Sequence, residues 1–321
     1  MFECTVYTDK NLDEWESFVD NANNGTIFHL RSFLGYHPPD RFEDHSLIFH
    51  KKGNISALFS ACVINDDGNK TLYSHRGATF GGFVIDESSS FKDAFDLTES
   101  LLMYARKNKF SRIILTQPPL IYQTRLSNNL DFALLQNGFD YLKREVSSVL
   151  SLKPSLAANI DNFRSEARTA FRRAVKLGVI VKESDNFEGF YKILEANLWT
   201  RHGVKPTHTV EEIRSLSKLF PDKIELLGAF AEDKMIAGVV LFACNPKVLM
   251  AFYISHDENF QNYRAVNLLF HDVIKRAIKR KFKFLDFGIF TVNMEPNWGL
   301  GRFKESFGAS GLFRDTFQIE I

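Results

Sequence analysis

The second half of this 321-residue chain reads as an imperfect echo of its first, and that repeat constrains the fold more than any single motif. Residues Ile55 to Leu115 read as strand, turn, strand, then Tyr73-Ser74-His75, an amphipathic helix, Lys107-Asn108-Lys109-Phe110 and a strand. Residues Leu226 to Phe287 read as three strands joined by turns, then Tyr253-Ile254-Ser255-His256, an amphipathic helix, Lys279-Arg280-Lys281-Phe282 and a strand. An antiparallel meander followed by a helix and a further strand, present twice, predicts two related domains in tandem, at residues 1–153 and 154–321. The crevice between such domains is where a large substrate is expected.

Size supports two cores rather than one. There is no run of apolar residues long enough for a transmembrane helix. The opening Met1-Phe2-Glu3-Cys4-Thr5-Val6 lacks the basic, apolar and small-residue blocks of a signal peptide. Cys4, Cys62 and Cys244 are too far apart to suggest a disulfide framework or a zinc cluster. These features together predict a cytoplasmic protein. The net charge of +1 hides an asymmetry: residues 1–150 carry 15 Lys and Arg against 19 Asp and Glu, and the remainder 25 against 20. Much of the basic excess lies between Arg164 and Lys182, which fits either an anionic partner or a solvated helix face.

Periodicity gives the elements. A helix after Asp9 places Leu12, Trp15, Phe18 and Val19 on one face. Strands are expected at Ser46–His50, Ile55–Ile64 and Lys70–Ser74, the last two joined by a turn at Asp66-Asp67-Gly68-Asn69. The helix Phe91–Lys107 should bury Phe95, Leu102 and Met103. From Ile160 to Leu177 the pattern is helical and two-sided: Phe163, Ala167, Ala170, Phe171 and Ala174 form an apolar stripe, while Arg164, Arg168, Arg172 and Lys176 recur every four residues. Gly178 ends it. Helices follow at Phe187–Leu198 and Glu211–Leu219, with Arg201 to His208 as a polar loop between them. The second meander, Leu226–Ala231, Ile236–Ala243 and Val248–Ile254, leads into the helix Ala265–Lys279 and the strand Phe284–Phe287.

Leu285-Asp286-Phe287-Gly288 and Gly299-Leu300-Gly301-Arg302-Phe303-Lys304-Glu305-Ser306-Phe307-Gly308-Ala309 carry a family likeness. They are similar to the D-F-G and G-L-x-x-F-K-x-x-F-G signatures of the FemAB-like acyltransferases, in which two GNAT (GCN5-related N-acyltransferase) units share one chain. The basic stretch Arg164–Gly178 resembles the helix that opens that family's second domain. The resemblance implies an α/β fold of two GNAT-like domains, each a mixed, mostly antiparallel sheet flanked by helices. It also implies transfer of an activated acyl or aminoacyl group to an amine, with no permanently bound cofactor. The donor would be acyl-CoA or aminoacyl-tRNA, and the acceptor an amine-bearing small molecule, peptide or nucleotide-sugar precursor. GNAT enzymes hold the coenzyme A pyrophosphate with Q/R-x-x-G-x-G/A, yet the matching stretch here, Gln261-Asn262-Tyr263-Arg264-Ala265-Val266, has no glycine. Donor contact is expected at Asn262, Tyr263 and Arg264, with the helix N-terminus still favouring an anion. Loss of the glycines is consistent with an aminoacyl-tRNA donor.

Acyl transfer to an amine needs a neutral amine, a stabilised oxyanion and a proton for the leaving group. By resemblance Lys304 is the candidate for the oxyanion, its alternative being a surface lysine. Tyr253 is a candidate proton donor or a core tyrosine. His256, or Asp257, is a candidate base for the amine or a strand-end residue. Asp286 either orients the acceptor or caps its own turn. Arg168, Arg172, Arg201 and His202 are candidates to grip the phosphates of a nucleotide-linked precursor or a tRNA acceptor end, and Arg302 to hold a phosphate or carboxylate. His202 and His208 lack carboxylate or cysteine partners at ligand spacing, so no metal is expected. Gly299-x-Gly301 is too short for a nucleotide fingerprint. Two other classes compete: a non-catalytic GNAT-like binding module, and an RNA-binding protein resting on the basic helix alone. Nothing in the first half matches Phe303-Lys304, which leaves it a scaffold or acceptor-binding role.

Overall fold

The computed structural model describes residues 2–38, 40–66 and 68–321, without the side chains of residues 201 and 202. Asp67, expected in a turn, lies outside the described residues. The chain divides into two compact units: residues Met1–Glu145 with Phe313–Ile321, and residues Val146–Leu312. Sequence had placed the boundary at 153/154 and the whole C-terminus in the second domain. Pattern reading cannot see that Thr316–Glu320 pair antiparallel with Arg112–Thr116, far back in the first unit.

Unit 1 contains β1 (Glu3–Val6), β2 (Glu43–Asp44), β3 (Leu47–Lys51), β4 (Asn54–Phe59), β5 (Cys62–Asp66), β6 (Asn69–Ser74), β7 (Phe83–Ile85), β8 (Arg112–Thr116) and the start of β9 (Asp140–Ser151). Its helices are α1 (Leu12–Asn21), α2 (Arg31–Leu34), α3 (Phe91–Lys107) and α4 (Asn129–Gln136). The single strand expected over Ile55–Ile64 is two strands. It breaks at Ser60-Ala61, so that β4 pairs with β3 and β7 while β5 pairs with β6 and β2. Sequence offers no punctuation there because the break is made by distant partners. The Ser74 hydroxyl donates to the Ser60 carbonyl at 2.5 Å, and the Ala61 N–H to Ser46 Oγ at 3.2 Å. Helix α3 starts on a Ser90–Asp93 capping box and buries Leu97, Leu101, Leu102 and Ala105, with Phe95 half-buried against the core. Met103, expected inside, is 49% exposed. In α1, Trp15 and Val19 face inward and Leu12 outward.

Strands β6 and β8 are parallel and paired from Thr71–Arg112 to Ser74–Leu115, the last residue of β6. Beyond it a tight loop closes over the strand end. A Cβ on Gly81 would lie 2.7 Å from the His75 backbone nitrogen, so only glycine permits this approach. Two buried histidines hold the loop. His29 Nδ1 accepts from the Thr26 N–H at 3.1 Å, which leaves Nε2–H to donate to the Gly81 carbonyl at 3.0 Å. His75 Nδ1 accepts from the Gly77 N–H at 2.9 Å.

Unit 2 begins with the end of β9 and contains α5 (Leu156–Ile160), α6 (Ser165–Lys176), β10 (Ile180–Glu183), α7 (Phe187–His202), α8 (Val210–Leu219), β11 (Ile224–Ala231), β12 (Lys234–Ala243) and β13 (Val248–His256). Then come α9 (Ala265–Lys279), β14 (Phe284–Ile289), the small hairpin β15 (Thr291–Val292) and β16 (Glu295–Pro296), α10 (Trp298–Glu305) and the start of β17 (Ser310–Glu320). Its sheet runs β10-β11-β12-β13-β14-β9. The three-strand meander is antiparallel, and β14 returns parallel to β13 after the α9 crossover. Helix α6 buries Ala167 and Ala174 against α9, and Gly178 ends it at φ +74°. The expected loop at Arg201-His202 is instead the last turn of α7. Helix α10 joins the core through an aromatic cluster in which Phe307 packs on Phe163, Phe270, Phe287 and Phe303 at centroid distances of 5.1–5.9 Å. No helix among the described residues is long and apolar enough to cross a membrane.

The buried histidines predict an acid response. Burial pushes His29 and His75 down to about 4. In both, Nδ1 already accepts a backbone N–H, which leaves no room for a second proton there. Because the folded values lie below the unfolded ones, the stability they support is complete above about pH 6.5 and drains away as the pH falls toward 4. Urea midpoints should decline across that window with uptake of about two protons on unfolding. A flat profile between pH 6.5 and 4 would show these imidazoles to be solvated.

Candidate active site

Strands β13 and β14 are paired only from Val248–Phe284 to Met250–Asp286. Beyond Met250, β13 continues for six residues to His256 with no β14 partner. A bulge at Phe252, where Val240 faces Tyr253 and Leu241 faces Ala251, adds to the divergence. The gap opens into a cavity of about 650 Å³ that lies wholly within unit 2. Leu194 and Leu198 of α7, Ile254 and His256 of β13, the first residues of α9, and Leu300 and Phe303 of α10 line it. Its walls are mostly apolar, with Asn197, Ser255, His256, Gln261, Arg264, Asn267 and Asn297 supplying polar atoms.

Each wall has a local cause. Helix α9 starts at Arg264, which sits at φ +56°, and no side chain caps it. Its first turn therefore presents backbone N–H groups and the positive end of the helix dipole to the cavity mouth. Asn297 Oδ1 accepts from the Leu300 N–H at 3.0 Å and so caps α10. Asn197 donates to Ser255 Oγ at 2.7 Å and to the His256 carbonyl at 2.5 Å, which ties α7 to the free end of β13. Sequence reading did not single out Asn197; its partners lie 58 and 59 residues away.

Some expected site residues converge here and others do not. His256 lines the cavity, 23% exposed at its side chain, with Nε2 3.6 Å from Glu258 Oε2. Asp257 is engaged elsewhere: burial opposes its charge, but an ion pair with Lys234 at 2.9 Å and the Asn259 N–H outweigh it and hold its carboxyl below the usual range. Arg264 lines the cavity, but Asn262 and Tyr263 do not. Tyr263 packs on Phe260 at 5.6 Å and against the core, because the 3-10 turn before α9 repeats every three residues and puts these two on its inner side. Tyr253 does not line the cavity either. Its hydroxyl lies 2.9 Å from His208 Nδ1 and accepts the His208 N–H at 3.2 Å, on the face of β13 that meets Tyr191 of α7. Burial raises the Tyr253 pKa, against the lowering effect of the hydrogen bonds from residues 207 and 208, so the phenol stays neutral.

Lys304 is 2% exposed. Its ammonium donates to the Gly288 carbonyl at 2.9 Å and the Ile289 carbonyl at 2.7 Å. It therefore clasps α10 to the end of β14, while its neighbour Phe303 faces the cavity. Asp286, 1% exposed, accepts the Gly288 N–H at 2.7 Å. This is the turn-cap contact of the two readings left open for it. Gly288 has φ +71°, a conformation that favours glycine, so the Asp-Phe-Gly signature encodes this turn. Arg168 donates to the carbonyls of Asp161 (3.3 Å) and Phe163 (2.7 Å), closing the chain ahead of α6. Arg172 and Arg302 are exposed and outside the cavity. The side chains of Arg201 and His202 lie outside the described residues. No group of three His, Cys, Asp or Glu is placed to hold a metal among the described residues.

Comparison with known proteins agrees with this geometry. The family described as acetyltransferase (GNAT) domain matches residues 161–304. The chain is similar to the crystal structure of FemX, at 14% identity and a TM-score of 0.75, over 99% of this chain and 97% of that one. It is also similar to the C-terminal domain of a putative lysylphosphatidylglycerol synthetase from Agrobacterium fabrum (12%, TM-score 0.60, 96% and 91%). A tandem GNAT protein from the clavulanic acid biosynthesis pathway aligns over 100% of this chain and 98% of its own, at 11% identity and a TM-score of 0.57. No curated protein matches in sequence. The divided parallel pair, its cavity and the GNAT signature define an enzyme of the acyltransferase class. Residues 161–304 carry a GNAT acyltransferase domain, and the whole chain has the fold of FemX and of a tandem GNAT protein.

The Lys304 clasp predicts a measurable contribution to stability. Lys304→Met removes two charge-assisted hydrogen bonds and leaves two carbonyls without that donor, at a cost of about 3 kcal/mol. Urea unfolding of the purified variant checks this. A loss below about 1 kcal/mol would mean that the lysine does not hold α10 in place.

Proposed function

We propose that this protein transfers an activated acyl or aminoacyl group to an amine, and that the unit 2 cavity receives the acyl end of the donor. The carrying observation is the gap beyond Met250, where one strand edge and one helix N-terminus face the same space. In this reading the uncapped start of α9 and the Arg264 guanidinium take the donor phosphates. The donor is acyl-CoA or aminoacyl-tRNA. The edge of β13 offers backbone groups to the acyl portion, and the apolar walls exclude water from it. His256 accepts the proton of the attacking amine, and Glu258 beside it favours the resulting imidazolium. Lys304 acts as a positioning residue that sets α10, and with it Phe303 and Leu300, against the cavity. Tyr253 and His208 brace β13 ahead of its cavity-lining end.

Unit 1 supports this choice of site by contrast. Its parallel pair stays closed to the end of β6, and the histidine that follows is buried under a glycine loop. What unit 1 contributes, in this reading, is a scaffold or contacts to the acceptor. The similar structures include FemX and a putative lysylphosphatidylglycerol synthetase domain, and the second name fits transfer of an aminoacyl group.

His256→Ala is expected to lower kcat by about 10²–10⁴-fold, with donor affinity little changed. Single-turnover transfer with a panel of acyl-CoAs and with aminoacyl-tRNA, each offered an amine acceptor, measures this and shows which donor is used. Wild-type kcat in His256→Ala would remove the histidine from the reaction. Binding of either donor with no transfer to any amine would instead favour a non-catalytic binding module.

A further inference from the structure

Beside the donor cavity lies a second groove of about 680 Å³, running along the first turns of α6 and across the start of α9. Ser165, Thr169 and Arg173 of α6 line it, and it shares Arg264 and Asn267 with the cavity. The two spaces therefore meet at one guanidinium. Arg173 and Arg264 make no ion pair among the described residues, whereas Arg168 is committed to backbone carbonyls and Arg164 pairs with Glu305 at 2.7 Å. The carboxylate on this groove, Glu166, has Arg164 and Arg302 as charged neighbours. What remains uncompensated is positive charge on two adjoining walls, with hydroxyls between. Arg264, which lines both spaces, also holds a left-handed backbone conformation that is costly for an arginine.

We propose that this groove is a second phosphate site, anchored by Arg173, which receives the phosphate-bearing part of the donor whose acyl end occupies the cavity. It rests on the proposed function for the identity of the ligand as a donor. The role expected of Arg168 and Arg172 passes to Arg173, one position along the helix from Arg172 and turned toward α9. A guanidinium fits a phosphate oxygen pair in a way an ammonium does not, and the Ser165 and Thr169 hydroxyls add donors of either geometry. The phosphates of coenzyme A and the phosphodiesters of an RNA 3′ end share this chemistry.

Titrating the full-length protein with coenzyme A, and separately with a short RNA ending in CCA, tests the site without requiring transfer. Arg173→Ala should weaken one of these probes about tenfold. If that probe is the RNA, the slope of log affinity against log salt should also fall by about 0.7. Arg173→Lys should recover only part of the loss. Lys176→Ala, which removes an exposed cation one turn away and outside both spaces, should change affinity less than twofold, and Glu166→Gln should tighten it. If Arg264→Ala weakens binding while Arg173→Ala does not, the groove is overturned and the donor cavity stands. If Lys176→Ala and Arg173→Ala weaken binding equally, only diffuse charge is at work and the site is overturned. If neither Arg264→Ala nor Arg173→Ala has an effect, both readings fall. Which probe responds to Arg173 identifies the source of the phosphate.

Discussion

Two parallel strands that remain paired for three residues and then separate are the constraint on which the rest of unit 2 depends. Parallel pairing normally satisfies the backbone along the whole overlap, so an early end leaves polar groups that something else must meet. In unit 2 the Phe252 bulge turns β13 away, and Asn197 secures its far end through Ser255 and the His256 carbonyl. On the other strand Gly288 reverses the backbone, Asp286 caps it, and Lys304 holds the carbonyls of Gly288 and Ile289. The gap is thus braced from both sides, and the cavity with largely apolar walls lies at the free end of β13, between α7, the start of α9 and α10.

The two units show how one topology leads to an open and a closed version of the same feature. Each has a helix crossing between parallel strands, α3 in unit 1 and α9 in unit 2, and each has a Ser-His-containing segment where the first strand ends. In unit 1 the Gly77–Gly82 loop fills the space, and neutral His29 and His75 hold it in place. In unit 2 the equivalent histidine stays at the wall of a cavity. Burial decides the difference: one imidazole is locked between backbone groups and stiffens a loop, and the other lies beside an open space and the Glu258 carboxylate.

Much of this was legible in the residues. The helices Phe91–Lys107 and Ala265–Lys279 have the bounds that their periodicity predicts, because a long apolar stripe with a clear start and stop leaves few alternatives. The Gly-Leu-Gly-Arg-Phe-Lys run and the Asp-Phe-Gly turn pointed to the right fold. The break at Ser60-Ala61 and the return of the last strand to unit 1 were not legible, since both follow from pairing with residues far away in sequence. Individual side chains were harder still. Tyr253 looked suited to proton transfer, yet its hydroxyl is engaged by His208, a partner 45 residues away, and the residue does not line the cavity.

By itself the sequence determined the duplicated architecture, the basic character of α6 and the signature that joins α10 to the end of β14. Local periodicity, turn-forming glycines and charge spacing are properties of neighbours, and neighbours are what a sequence records. Only the tertiary structure decided where each charged group spends its interactions. Lys304 meets carbonyls 15 and 16 residues away, Arg168 those of Asp161 and Phe163, and Arg173 and Arg264 approach one groove from helices about ninety residues apart in the chain. Those pairings are settled by packing, because a buried cation must find acceptors and an exposed one need not.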